Sequence, residues 1–432
     1  MFEFKELGTN RRTEIRAGIT TFLTMAYIIV VNPAILSGAG VPVSGILFAT
    51  VIVSAVSCIF MGLYANLPFA LAPGMGLNAF VTYTLIIGQG ITWETAMGAV
   101  IISGIIFMLL SLPGINVREK MLRAIPEPLR LGVASGIGIF LAFIGLQNSG
   151  VIVAAPDTTL VTFAGMDWTV GLFIVGIILT GFLLYKKQKG ALIIGILSIT
   201  VLGVILTSIG VAEIASVPET AVRTPDVGLL GRFNLIQVFT IGMIGPLFTL
   251  LFTDMFDSIS TFLGVAEAGD FEKEDGAPRN TGKALFVDGF ATTISGIFGT
   301  SPATTYVESA SGVEEGGRSG LTAVVVGLLF LPFMFFSPII GMIPDVATGP
   351  VLVLVGLFMT KTAQKIRWDE YQDSIPAFIA MIAIPLTYNI TNGIVLGIIT
   401  YVVIKTIAGE FEDIPVTLWF IFAFSLAILF LL

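Results

Sequence analysis

Apolar runs about twenty residues long recur from end to end of this chain, and each has the length a helix needs to cross a bilayer. The runs are continuous rather than alternating. That excludes an outer-membrane barrel and predicts an all-α polytopic membrane protein. Composition agrees: 55% of the 432 residues are hydrophobic and 12% are charged, about half the charged share of a soluble domain. The polar start, MFEFKELGTNRRTEIR, leads straight into a full-length run, as expected of a chain without a cleavable signal. Hydropathy places fourteen spans at about 17–36, 44–65, 68–86, 94–112, 130–148, 170–185, 190–209, 238–260, 284–298, 300–313, 319–340, 348–360, 374–388 and 390–407. A further apolar run, 415–432, either crosses again or lies against the bundle.

Basic residues orient the spans, because loops rich in Lys and Arg stay in the cytoplasm. With a cytoplasmic N-terminus, 19 of the 21 basic residues fall inside, and only Arg223 and Arg232 fall outside. The inside set includes Arg118, Lys120, Arg123, Arg130 and Lys273. A miscounted span in mid-chain would scatter it. Trp93, Trp168 and Trp368 fall at span ends, where interfacial anchors sit. The chain has no histidine and one cysteine, Cys58. A histidine proton relay, a His-ligated metal and an intrachain disulfide are therefore impossible, and proton handling falls to carboxylates. No metal or other cofactor is expected.

Two spans are unlike ordinary membrane helices. The segment PFALAPGMGLNAFVTY holds Pro68, Pro73, Gly74, Gly76 and Asn78, and GTSPATTYVESASG holds Gly299, Pro302, several hydroxyls and Glu308. Each is the third span of its seven-span half. Short Gly/Pro-interrupted segments at matching positions point to a transporter's midplane site. An odd number of spans per half inverts the second half, so the chain reads as two inverted seven-span repeats.

Acids inside apolar runs are costly and mark function. Asp254 and Asp257, in LLFTDMFDSIS, are three residues apart and share a helix face. The alternative is a helix end reaching cytoplasmic water. Glu308 lies among small hydroxyl residues, with no basic residue in a predicted span interior to neutralise it, and can accept N–H donors from a flat heterocycle. Asn78 offers a donor and an acceptor, as a nucleobase edge needs, or else satisfies backbone at the helix break. Gly74 and Gly76 permit turning or close approach. Phe80 and Tyr83 can stack on a ligand or simply pack. Asn32 and Pro33 read as a helix stop. The run EEGGRSG, 314–320, lacks the Gly-Lys-Ser/Thr ending of a phosphate loop and reads as a span-joining turn.

At these residues the sequence resembles the AzgA-like purine permeases, a branch of the nucleobase cation symporters that carries adenine, guanine and hypoxanthine. LAPGMGLNAF, FTDMFDS and GTSPATTYVESASGVEEGGRSGLTA carry the resemblance, which runs from KELGTNRRTEIRAGITTFLTMAYI to about TIAG at 406–409. It implies a uracil-permease-like fold of fourteen spans, with spans 3 and 10 each pairing a short strand with a half-helix. It implies a core of residues 1–129 (spans 1–4) and 238–340 (spans 8–11). The gate would be 130–237 (spans 5–7) and 341–409 (spans 12–14), with 410–432 a terminal apolar helix. The implied substrate contacts are Asn78, Gly76, Asp254 and Glu308, joined by Thr305 and Phe80. Asp254, Asp257 and Glu308 would couple protons. Related uracil permeases place a histidine one turn after the span-8 acid. Here that residue is Ser258, which leaves coupling to the carboxylates.

The expectation is a proton-coupled purine importer of the cell membrane, with sodium the second choice as coupling ion. It would be a homodimer working as an elevator, with no nucleic-acid partner. An anion transporter of the sulfate-permease architecture would want basic groups or half-helix dipoles rather than three carboxylates. A membrane-embedded aspartyl enzyme would need its acids on two facing helices. A passive channel fits broken helices less well than alternating access does.

Overall fold

A computed structural model describes residues 2–112, 126–156, 158, 160–269 and 279–431. Arg118, Lys120, Arg123, Lys273 and most of the charged loop after Gly269 lie outside the described residues.

Every run read as a span contains a helix or a broken helix. The first is α1 (Arg11–Met25) with α2 (Ile28–Ser37), and α3 (Val43–Phe60) follows. Strand β1 (Leu71–Pro73), α4 (Met75–Ala79) and a nine-residue π-helix, Phe80–Gly88, form the first broken segment. Then come α5 (Trp93–Leu110), α6 (Glu127–Asn148), a hairpin of β2 (Ile152–Ala155) and β3 (Leu160–Phe163), α7 (Trp168–Tyr185) and α8 (Ala191–Ser208). The second half holds α9 (Ile244–Ala268), α10 (Thr281–Phe298), β4 (Ala303–Thr305) with α11 (Ser309–Glu314) as the second broken segment, and α12 (Gly320–Phe330). It closes with α13 (Ser337–Gly341), α14 (Asp345–Thr360), α15 (Tyr371–Thr387), α16 (Ile390–Ile407) and α17 (Val416–Leu431). Among the described residues, nine helical stretches are long and apolar enough to cross a membrane. The architecture is a mostly helical, multi-pass membrane bundle.

The two broken segments meet. β1 and β4 pair antiparallel, Leu71 opposite Thr305, Ala72 opposite Thr304 and Pro73 opposite Ala303. Gly74 N donates to Pro302 O at 2.9 Å, and Tyr306 N to Ala70 O at 2.9 Å, extending the pairing on both sides. Non-helical backbone inside a bundle must find partners within the protein, and here each segment supplies the other's. Cys58 of α3 clamps the ladder's far edge: its Sγ donates to Leu71 O and accepts from Leu71 N.

The helices pack in two groups. α6 packs on α14 and α15, α15 on α16, and α7 on α8 and α14. The other group joins α5 to α10, α3 to α10 and α12, and α1 to α11 and α12, around the broken segments. Small residues bring backbones together, as membrane packing favours. A Cβ at Gly138 would lie 2.6 Å from Gly356 O, and one at Gly356 would lie 2.3 Å from Gly138 O.

Glu14, fully buried on α1, holds the turn before α12. Its carboxylate accepts from Arg318 N at 2.8 Å, Ser319 N at 3.1 Å and Thr322 Oγ1 at 2.6 Å. The turn at 315–318 thus joins two helices, and a carboxylate already takes the amides that a phosphate would need. At the same end Glu315 pairs with Arg16 at 3.1 Å and with Lys189, so segments read as sharing one membrane face do come together. Two readings are corrected. Asn32 and Pro33 do not stop a helix: both lie inside α2. The break falls upstream, at Ala26–Tyr27, and Asn32's side-chain bonds to the packed core help offset the ladder bond that Pro33 removes. Trp93, read as an interfacial anchor, is buried, whereas Trp168 and Trp368 are exposed.

Candidate functional site

Side chains from four elements converge on the crossed strands. On α9, Asp254 and Asp257 sit on one face, one helical turn apart. Asp254 is fully buried; its Oδ2 accepts from Thr292 Oγ1 of α10 at 2.6 Å and its Oδ1 has no hydrogen-bond partner among the described residues. Asp257 Oδ2 accepts from Thr304 Oγ1 at 3.1 Å, so β4 reads one acid of the pair directly. Thr305, the next strand residue, donates to a third carboxylate, Asp288 Oδ1, at 3.2 Å. Asp288 lies on α10, fully buried, and Ser258 of α9 is a further hydrogen-bond partner beside Thr305. Strand alternation sends Thr304 and Thr305 to opposite faces, and each meets a different acid.

Glu308 precedes α11, where the chain turns from strand to helix. Its Oε1 accepts from Tyr27 OH at 2.6 Å, a residue at the break between α1 and α2. Tyr306 OH crosses back to Pro73 O at 2.5 Å. Among the described residues no Lys or Arg pairs with Asp254, Asp257, Asp288 or Glu308. Asp254 and Asp288 are buried and Asp257 and Glu308 half-buried, and carboxylates so placed without a cation are stabilised by N–H donors or by taking up a proton.

Asn78 on α4 is fully buried. Its Nδ2 donates to Asn32 Oδ1 at 3.1 Å, and its Oδ1 has no hydrogen-bond partner among the described residues. An unpaired buried acceptor costs about 1–3 kcal/mol, which a ligand N–H can relieve. At Gly76 a Cβ would lie 2.8 Å from Ile137 Cγ2 of α6, so the first broken segment touches the helix group of α6, α14 and α15 at this glycine. Phe80 is wholly within the apolar core. Tyr83 and Tyr388 pack edge to face with ring centroids 5.7 Å apart, and Asn148 Nδ2 donates to Tyr83 OH at 2.7 Å. A cavity of about 380 Å³ lined by Ser44, Thr220, Arg223 and Ser337 lies at the opposite end from Glu14 and includes none of the carboxylates.

The structure therefore joins Asp254, Asp257, Thr305, Glu308 and Asn78 through one pair of strands. It adds Asp288, Thr292, Tyr27 and Asn32. The rule that marks Asp254, an acid within an apolar run, applies equally to Asp288 in the run 284–298. Tyr27 and Asn32 carry no such mark, because an aromatic or an amide near a proline is common in spans.

Residues 12–396 match the model of the Permease family (Xan_ur_permease). The chain is 40% identical to the adenine permease AdeP of Escherichia coli (strain K12), over 96% of this chain and 92% of that protein. It is 41% identical to the guanine/hypoxanthine permease PbuG of Bacillus subtilis (strain 168), over 100% of this chain and 99% of that one. Among solved structures, the transmembrane domain of a cyanobacterium bicarbonate transporter, BicA, matches with a TM-score of 0.63 at 15% identity, covering 89% of this chain and 97% of that chain. At that identity the likeness concerns the fold alone.

Proposed function

The chain belongs to the Permease family, and on that premise we propose that it imports purine nucleobases, adenine, guanine and hypoxanthine, by proton symport. The observation that carries the reading is the pair of buried oxygens beside the paired strands, Asp254 Oδ1 and Asn78 Oδ1, that have no hydrogen-bond partner among the described residues. A purine offers several N–H groups in one plane, and the names of AdeP and PbuG supply the same chemistry. Asp254 and Glu308 grip the base, with Asn78, Thr305 and Phe80 around it and Gly76 giving backbone room. Asp254, Asp257 and Glu308 share the coupling proton, with Asp288 as a neighbour.

The spans number fourteen, in two inverted seven-span repeats, and the N-terminus is cytoplasmic. The gathering of Arg16, Lys189 and Glu315 at one end supports that orientation. The core, 1–129 and 238–340, slides against a gate, 130–237 and 341–409, in an elevator-type cycle, and two chains form a homodimer. Packing of the helices in two groups supports the division. The bicarbonate transporter's fold raises an anion reading, but an anion placed among these carboxylates would be repelled rather than held.

The test is uptake of radiolabelled adenine, guanine, hypoxanthine, xanthine and uracil in a bacterium lacking its own purine transport, with and without a protonophore and with sodium replaced. Saturable purine uptake that a protonophore abolishes and sodium removal spares is expected. Bicarbonate or sulfate uptake without purine uptake would overturn the reading.

A further inference from the structure

A chain of buried hydrogen bonds runs from a helix carbonyl to Asn78 and fixes which way its amide faces. Thr50 of α3 has one hydroxyl hydrogen, and it goes to Ile46 O at 2.7 Å. Toward Asn32, Thr50 Oγ1 can therefore only accept. Asn32 meets it with Nδ2, at 2.7 Å, and also donates to Thr300 Oγ1 at 2.9 Å. Asn32 Oδ1 must then face the other way. There it accepts from Asn78 Nδ2 at 3.1 Å and from Ser301 Oγ at 3.4 Å. Asn78 has its nitrogen turned toward Asn32, and its buried oxygen, turned away from Asn32, has no hydrogen-bond partner among the described residues. Asn32, Thr50 and Asn78 are all fully buried, so no bulk water exchanges with these partners.

We infer that Asn32 is a positioning residue that holds the Asn78 amide with its oxygen turned away from Asn32, so that the site selects a nucleobase edge bearing an N–H donor at that point. This rests on the nucleobase reading above and narrows it. A ring nitrogen with a lone pair at that point would face another lone pair and be rejected. A protonated ring nitrogen or an exocyclic amino group is accepted. The relay also ties the reading to the second broken segment through Thr300 and Ser301, so both halves of the fold enforce it.

The full chain is expressed in the purine-transport-null bacterium, and competition for purine uptake is measured with a set of analogues. Each analogue lacks one N–H of the parent base, through N-methylation or replacement of N–H by a ring atom without hydrogen. In the wild type, loss of one particular N–H should weaken competition roughly tenfold or more. In Asn32→Ala and Asn32→Ser, both too short to reach Asn78, the amide can rotate, and that penalty should fall to within about threefold of the parent base. In Asn32→Asp an oxygen still faces Asn78 Nδ2, and the penalty should persist. A merely structural Asn32 would weaken parent and analogue alike. A penalty unchanged in both short variants, or lost in Asn32→Asp, overturns the inference. Wild-type purine uptake with no N–H-dependent penalty also overturns it, whereas no purine uptake at all overturns the nucleobase reading beneath it.

Discussion

The two broken segments share one backbone plan and carry opposite chemistry. Each runs from a short strand into a short helix, and the strands complete each other's hydrogen bonds. The first presents a neutral amide, Asn78, whose orientation neighbours dictate. The second presents hydroxyls that engage Asp257 and Asp288, and then Glu308. Shape at the paired strands thus comes from both segments. Charge comes from Glu308 of the second segment and from the helices α9 and α10. The proposed function implies a division: the first segment contributes a neutral contact to the base, and the second, through Glu308, both grips the base and manages charge.

The largest effect expected from this division is at Glu308. Glu308→Ala should reduce purine uptake roughly ten- to hundredfold, since a hydrogen bond to a charged partner is worth about 1.5–3 kcal/mol. It should also remove dependence on the proton gradient in whatever uptake remains. Wild-type accumulation with intact gradient dependence would break the division. Asn78→Ala should do less, about two- to tenfold and in KM rather than maximal rate, because a neutral hydrogen bond contributes about 0.5–1.5 kcal/mol. Gradient dependence should survive, and its loss would mean that the first segment also manages charge. Initial-rate kinetics with surface abundance as control separates the two outcomes.

Gly76 sharpens the comparison, because it is where the first segment touches the other helix group. Gly76→Ala places a methyl 2.8 Å from Ile137 Cγ2 and should slow transport several-fold, a consequence of overpacking. Adding Ile137→Ala should restore much of the rate; failure to do so would mean that the glycine matters for backbone shape alone. The smallest effect concerns Glu315, at the end of the second segment. Its hydrogen bond to Lys189, with Arg16 adding to it, holds its carboxyl below the usual range. A carboxyl depressed in the folded state stabilises above its unfolded value, about 4.3, and that contribution fades as pH falls through the lower folded value. Thermal stability of the purified protein should therefore drop slightly more below about pH 4 in the wild type than in Glu315→Gln, as scanning fluorimetry across pH would record.

The broken segments were legible because proline, glycine and hydroxyl groups interrupting an apolar run leave few other options. Asp254, Asp257 and Glu308 were legible because an acid in such a run is expensive wherever it sits. Asp288 follows from the same logic. Asn32 did not, and reads wrongly as a helix stop: an Asn-Pro pair has a local preference, and only the four partners supplied by α3, α4 and residues 300–301 override it. Gly76 reads as a point of backbone turning or close approach, and the group it approaches, Ile137, lies 61 positions away, where no local pattern connects the two.

From the sequence alone came a multi-pass helical membrane protein with two interrupted segments and acids in the wrong solvent, since solvent preference and backbone rigidity are properties of each residue. The partner of each acid, the pairing of β1 with β4 and the direction in which Asn78 faces belong to the tertiary structure. Hydrogen-bond direction is a relation among several side chains, and here it is settled by a threonine whose one hydrogen is already committed elsewhere.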